Sequence, residues 1–280
     1  MENKLSCIQP LILGIGVPKA ATTWIHRQLE AHAEISVTTT KEIGYWSSNY
    51  HHGPDWYIEQ FFVKPNSRVF AEFTPHYLNT RSLQRISNYV DDARFIISLR
   101  NPYERAYSNY LHARRNGDIN VNFIEACKIN DKIIQDSCYS KLISTYLKYF
   151  ELNRLHLILF EEVENDPVKT VHEMYSFIGV DNAFIPENLM QKVNVGRDKS
   201  ASDRILKKLE RMAKHAGITR KHLLALRING LVENFQNRLA RANPKPRMTK
   251  LESQYLDDIL KPDIEQLSHL LKRDLSHWIP

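Results

Sequence analysis

Leu11-Ile12-Leu13-Gly14-Ile15-Gly16-Val17-Pro18-Lys19-Ala20-Ala21-Thr22-Thr23-Trp24 is the stretch whose reading decides the fold. It opens on an apolar run far too short to span a bilayer and well suited to a buried strand. The chain then turns through Gly16, Pro18 and Lys19 and passes straight into a helical pattern. A strand, a tight turn and a helix N-terminus in that order leave backbone N–H groups unpaired at the positive end of a helix dipole, which suits an anion. Lys19 adds a point charge, and Thr22 and Thr23 add hydroxyl donors. The loop is not the nucleotide-triphosphatase pattern G-x-x-x-x-G-K-[ST], because Ala20 follows the lysine where Ser or Thr would hold magnesium.

Outward from this loop, short apolar runs alternate with helical patterns. The spacing predicts strands over 11–17, 35–38, 69–73, 95–99 and 155–160. Helices are expected to begin near Thr22, Asp55, Arg81, Pro102, Asn122, Ser140 and Pro167. Pro102 follows Asn101 and Pro167 follows Asp166, a cap and then a first-turn proline. The pattern predicts an α/β fold, a single P-loop-like domain with a central parallel sheet flanked by helices and a C-terminal helical extension. The expected organisation is one domain over 1–280, with a nucleotide-binding core over 1–196 and a basic helical extension and closing helix over 197–280. The last helix, from Glu252 to about Arg273, carries Leu256, Leu260, Leu267 and Leu271 near helical spacing and reads as core packing.

At 280 residues, 42% hydrophobic and 25% charged, the chain can build a substantial core and is not a disordered protein. Its net charge of +6 is modest but uneven. Residues 197–250 hold 15 basic and 4 acidic side chains, an excess that suits an anionic ligand or surface and equally a solvated helical face. Cys7, Cys127 and Cys138 form no CxxC spacing and leave one unpaired, which points to a reducing compartment and away from a disulfide framework or structural zinc. No signal-peptide pattern precedes the first apolar run, so a cytoplasmic protein without a membrane span is expected.

A second segment, Arg94-Phe95-Ile96-Ile97-Ser98-Leu99-Arg100-Asn101-Pro102-Tyr103-Glu104-Arg105-Ala106-Tyr107-Ser108, places Arg100 at the carboxyl end of a strand, where ligands of open α/β sheets bind. Ser108 falls about two turns into the next helix. A guanidinium fork and a hydroxyl so placed suit a phosphate.

The two segments together resemble the donor-binding elements of the sulfotransferases that use 3′-phosphoadenosine 5′-phosphosulfate (PAPS), in particular the heparan and carbohydrate branch. Val17 to Trp24 is similar to that family's 5′-phosphosulfate loop, Pro-Lys-x-Gly-Thr-Thr-Trp, with Ala21 in place of glycine. Arg100, Pro102, Arg105 and Ser108 match its 3′-phosphate element, Arg-x-Pro-x-x-Arg-x-x-Ser. The resemblance implies donor contacts from Lys19, Ala20, Ala21, Thr22, Thr23, Trp24, Arg100 and Ser108, with Trp24 against adenine and Arg105 in a structural ion pair. Asn194-Val195-Gly196-Arg197 resembles the late Gly-Arg loop that closes over the nucleotide, which adds Arg197. Lys19 is expected to stabilise the leaving phosphate, its charge standing where kinases use a metal ion, so no metal is expected.

Glu42, in Thr40-Lys41-Glu42-Ile43-Gly44-Tyr45-Trp46, lies in a segment similar to the family's Glu-Ile element and is the first candidate for the general base. His76, in Ala71-Glu72-Phe73-Thr74-Pro75-His76-Tyr77, is the second. That segment aligns with Glu-Lys-Ser/Thr-Pro-x-Tyr, so Phe73 stands where the family places a lysine, and Lys41 is a possible substitute cation. Tyr50 to Tyr57 resembles a carbohydrate-branch stretch, in which Trp56 and Tyr57 read as core, Asp55 as a helix cap, and His51 and His52 as candidates to face an acceptor. The expected partner is a carbohydrate or small-molecule acceptor, with no nucleic acid. Three other readings remain: a non-catalytic nucleotide-binding relative, a small-molecule kinase, and a nucleic-acid-binding protein, which could use the basic stretch but would not need Lys19, Arg100 and Ser108. The kinase should carry a Walker lysine-serine pair and a magnesium carboxylate.

Overall fold

The computed structural model describes residues 4–191 and 246–280. Five parallel strands form one sheet in the order β2-β3-β1-β4-β5: β1 Leu11–Gly16, β2 Ile35–Val37, β3 Val69–Phe73, β4 Arg94–Leu99 and β5 Leu155–Leu159. All five were predicted. Phe160 is the one clear boundary error, being the first residue of a helix instead of the end of β5. There the backbone N–H of Leu159 turns onto the Glu162 carboxylate (2.7 Å) and starts the new element.

The helices are α1 Thr22–Ala31, α2 Gly53–Glu59, α3 Thr80–Tyr89, α4 Pro102–Asn116, α5 Phe123–Ile129, α6 Lys132–Gln135, α7 Tyr139–Tyr146, α8 Phe160–Asn165, α9 Pro167–Ile178 and α10 Lys250–Leu271. The Asn and Asp caps act as their sequence suggests. Asn101 Oδ1 accepts from Tyr103 N (3.0 Å), and Asp166 Oδ1 accepts from Lys169 N (3.0 Å). Asp55 is not a cap. Helix α2 begins at Gly53 with Pro54 in its first positions and Asp55 inside the first turn, because proline's fixed φ starts the helix two residues earlier.

β1 is buried along its whole length, as a central strand with helices on both faces must be. One face packs Ile12, Ala71, Phe73 and Ile96 against Trp24, Ile25 and Leu29 of α1 and Val171, Met174 and Tyr175 of α9. Phe95 meets Tyr146 of α7 and Phe150. Helix α10 adds Leu256, Leu260 and Leu267 to the buried set. It also contributes a buried carboxylate, since Asp263 accepts from the backbone N–H of Ser140 in the first turn of α7 (3.1 Å) and from the Ser140 hydroxyl. A carboxylate at a helix N-terminus complements the dipole.

The sheet and its helices, apart from the end of α4, belong to one compact unit that runs to Leu111, resumes at Val121 and includes Thr249–Pro280. Residues His112–Asn120 cluster in a second unit. Within it α4 closes at Gly117, whose φ of +85° suits a residue without a Cβ, and whose N–H meets the Arg114 carbonyl (3.1 Å). No helix among the described residues is long and apolar enough to cross a membrane. Arg197 and nearly all of the basic stretch lie outside the described residues.

Candidate active site

The strand order fixes where a ligand can enter. From β1 the chain moves to β2 at one edge, returns to β3, then crosses β1 to reach β4. The connections that leave β1 and β4, which are neighbours, therefore diverge, and the crevice opens at their carboxyl ends. The Lys19 loop follows β1 and Arg100 follows β4, so the topology brings the two sequence segments side by side.

Two bonds hold them together. Val17 N–H donates to the Ser98 carbonyl at the end of β4 (2.9 Å). Arg105, fully buried on α4, donates from Nε to the Pro18 carbonyl (3.3 Å), inside the phosphate loop. Its remaining donors reach the Ile133 carbonyl (3.1 Å), Ser137 Oγ (3.2 Å) and Asp136 Oδ2 (3.2 Å). The structural ion pair expected of Arg105 is present, and the residue also braces the turn next to Lys19.

The loop itself is bent by two left-handed residues, Lys19 at φ +76° and Ala21 at φ +62°. Ala21 is the N-cap of α1 and gives no side-chain cap to the helix. Its conformation explains why a glycine suits this position. The Cβ that Ala21 carries costs about 1–2 kcal/mol in the left-handed region.

Trp24 is 6% exposed and sits in the core, its indole N–H on the Leu189 carbonyl (2.9 Å). A ring so enclosed packs in the core, with its one polar atom satisfied. Thr22 is buried and Thr23 half-buried in the first turn of the same helix.

On α4, Ser108 lies one turn beyond Glu104 and is buried. Arg100 stacks over the Phe160 ring (4.4 Å to its centroid) and gives Nε and Nη2 to Glu104 Oε2 (3.0 and 2.6 Å). Its backbone is fixed too, since the Tyr139 hydroxyl donates to the Arg100 carbonyl (2.8 Å).

Glu42 occupies the turn after β2. Its own φ is +62°, and its N–H is tied to the Phe73 carbonyl at the end of β3 (3.2 Å). The carboxylate is 42% exposed and accepts from Lys41 Nζ at 2.6 Å. Lys41 Nζ also donates to Thr23 Oγ1 (3.2 Å), which joins the candidate base to the phosphate-loop helix. His76 is exposed on the turn after β3. His51 and His52 are exposed, with His52 stacked on Trp56 (centroids 4.8 Å apart). Of the aromatic pair read as core, Tyr57 is fully buried and Trp56 half-buried.

Phe73 does not point a substitute group into the cleft. It is fully buried, with its ring over Gly14, its register partner on β1. A Cβ built on Gly14 would stand 2.1 Å from Phe73 Cδ2.

A residue that the sequence reading quoted but did not assign organises this region. Glu72 is buried in β3 and accepts from the hydroxyls of Tyr57 (3.0 Å), Thr74 (2.6 Å) and Tyr77 (2.6 Å). Thr74 Oγ1 in turn accepts from Gly44 N–H (3.2 Å), and Tyr77 Oη from Trp46 N–H (3.2 Å). The Glu42 turn is thus hung on a buried carboxylate at the next-to-last residue of β3. Burial pushes the Glu72 carboxyl up to about 7 against the pull of its three hydroxyl donors. A carboxylate between Ala71 and Phe73 in an apolar strand is the sequence signal for such a residue.

Residues 9–267 match the sulfotransferase domain family. The chain is similar to bifunctional heparan sulfate N-deacetylase/N-sulfotransferase 1 of Xenopus laevis, 29% identical over 197 residues that make up 62% of this chain and 22% of that protein. It is also similar to membrane-associated sulfotransferase kil1 of Dictyostelium discoideum, 35% identical over 114 residues, 39% of this chain and 24% of that protein. The chain thus spans roughly a quarter or less of the length of these curated relatives. The crystal structure of a sulfotransferase from Alicyclobacillus acidocaldarius superposes with a TM-score of 0.70 over 96% of this chain and 98% of that one, at 22% identity, and shares its fold. With a family match over most of its length and that fold, the chain belongs to the sulfotransferase domain family.

Proposed function

We propose that the protein transfers a sulfuryl group from PAPS to a hydroxyl or amine of a carbohydrate or small metabolite. The observation that carries this reading is the pairing of the Lys19 loop with Arg100 at the carboxyl ends of adjacent strands, with Ser108 on the helix that follows Arg100 and Arg105 bracing Pro18. Lys19 and the first N–H groups of α1 suit the 5′ end of the donor. Arg100 keeps its Nη1 group without a partner among the described residues, and with Ser108 it suits the 3′-phosphate. Arg197 is assigned to closure over the nucleotide. The heparan N-sulfotransferase relative favours a sugar acceptor. The sparse cysteines favour a cytoplasmic setting.

In this reading the acceptor atom attacks sulfur in line, and its lone pair forms the new bond to sulfur. The bond from sulfur to the bridging 5′-phosphate oxygen breaks, leaving its electron pair on that oxygen, where Lys19 and the helix N–H groups stabilise the charge. The acceptor's proton passes to Glu42, with His76 as the second candidate.

Calorimetry with adenosine 3′,5′-bisphosphate and with ATP tests the donor. Tight binding of the bisphosphate without magnesium is expected, and a preference for ATP or a magnesium requirement would refute the reading in favour of a kinase. Lys19→Ala should weaken the bisphosphate at least about tenfold. Glu42→Gln should abolish transfer with nucleotide binding intact, and near-normal turnover would move the base role to His76 or solvent. The buried Phe73 favours one competitor, a nucleotide-binding relative without transfer. Any turnover of labelled PAPS with pooled glycans, phenols or amines would exclude it.

A further inference from the structure

The 38–42 turn sets a cation where the helix beside it favours an anion. Thr23 is the second residue of α1, so Lys41 Nζ, on Thr23 Oγ1, stands at the positive end of that helix. It is held against the dipole by the Glu42 carboxylate at 2.6 Å. His26, one turn along α1, is buried, and its Nε2 has no partner among the described residues. Burial first, and Lys41 next, hold this imidazole down to about 4, so it is neutral and adds no second cation. Lys41 is 20% exposed and Glu42 42%, which keeps the ion pair partly solvated and worth at most about 1 kcal/mol. Such a pair is cheap to exchange, and the lysine stem is long enough to turn.

We infer that Lys41 is a shared cation. It neutralises Glu42 until the donor binds, then turns to the sulfuryl oxygens and leaves the Glu42 carboxylate unpaired for the acceptor's proton. This rests on the PAPS reading and deepens it. Donor arrival switches on the base, and the positive charge that Phe73 cannot supply at the end of β3 comes from the neighbouring turn.

A double-mutant cycle tests it, with the affinities of PAPS and of adenosine 3′,5′-bisphosphate measured by calorimetry without acceptor. Because Lys41 no longer has to leave a carboxylate, Glu42→Gln should tighten PAPS by about fivefold while changing the bisphosphate by less than about twofold. Lys41→Met should weaken PAPS and spare the bisphosphate. In the Lys41→Met background the gain from Glu42→Gln should shrink by at least about threefold. Equal gains in both backgrounds, or no gain with Lys41 present, overturn the shared-cation role. If the bisphosphate binds to none of the proteins, the PAPS reading itself fails. Bisphosphate binding also reports that each variant is folded.

Discussion

Glu72→Gln should remove a pH dependence that runs opposite to ordinary acid denaturation. In the unfolded chain this carboxyl titrates near 4.5, and in the folded protein burial raises it to about 7. The folded state therefore binds the proton more tightly. The stability gained from that preference is complete below pH 4.5, erodes as pH rises between 4.5 and about 7, and is gone above. At about 1.4 kcal/mol per pH decade, the rise is worth on the order of 3 kcal/mol. Glutamine keeps the shape, accepts from Thr74 and Tyr77 through its amide oxygen, donates to the Tyr57 oxygen through its NH2, and does not titrate. Urea unfolding of both proteins at pH 5 and pH 8 isolates the effect, since every other titrating group cancels in the difference. The wild-type protein should lose about 2–3 kcal/mol relative to Glu72→Gln between the two pH values. A difference that is the same at both, or a glutamate that stabilises more at pH 8, would refute the reasoning. Three hydroxyl donors would then be outweighing burial and holding the carboxylate charged.

Three further substitutions test the local geometry. Gly14→Ala should destabilise by about 3 kcal/mol, because its Cβ would fall 2.1 Å from a ring with no room to retreat. In a Phe73→Ala background the same change should cost under about 1 kcal/mol, and an unchanged cost there would show that Phe73 is not the obstacle. Ala21→Gly should stabilise by about 0.5–1 kcal/mol in denaturant melts, because relief of about 1–2 kcal/mol of left-handed strain exceeds the added freedom of the unfolded chain. Arg105→Lys should cost at least about 2 kcal/mol and weaken adenosine 3′,5′-bisphosphate, because a lysine cannot span the carbonyls of Pro18 and Ile133, Ser137 and Asp136 at once. Full nucleotide affinity in a folded Arg105→Lys protein would uncouple the brace from the loop.

The parts of the site that could be read in the sequence are those built within one contiguous segment. A strand feeding a helix through Lys19, and a strand feeding a helix through Arg100, each carry their chemistry on backbone directions set locally, so residue order alone exposed them. The caps Asn101 and Asp166 were legible for the same reason. What stayed hidden depends on pairing across the fold. Arg105 reaches a carbonyl 87 residues away, and Glu72 gathers hydroxyls from both sides of β3. Trp24 carries a second bond of this kind, since its indole N–H reaches the Leu189 carbonyl 165 residues on, which residue order does not announce.

The two departures from the family pattern, Ala21 and Phe73, look in sequence like a weakened site. The fold gives each its own meaning. Ala21 keeps the backbone turn that presents the helix N–H groups and bears a strain that glycine would not, so it costs stability without removing a donor. Phe73 is matched by Gly14 across the β1–β3 ladder, and its ring fills the space a Cβ on Gly14 would take. Reverting Phe73 to lysine would therefore put an ammonium into the packing between β1 and β3 instead of restoring a cation to the cleft. In the proposed reaction the compensating charge comes instead from the 38–42 turn, whose Lys41 reaches the first turn of α1 through Thr23.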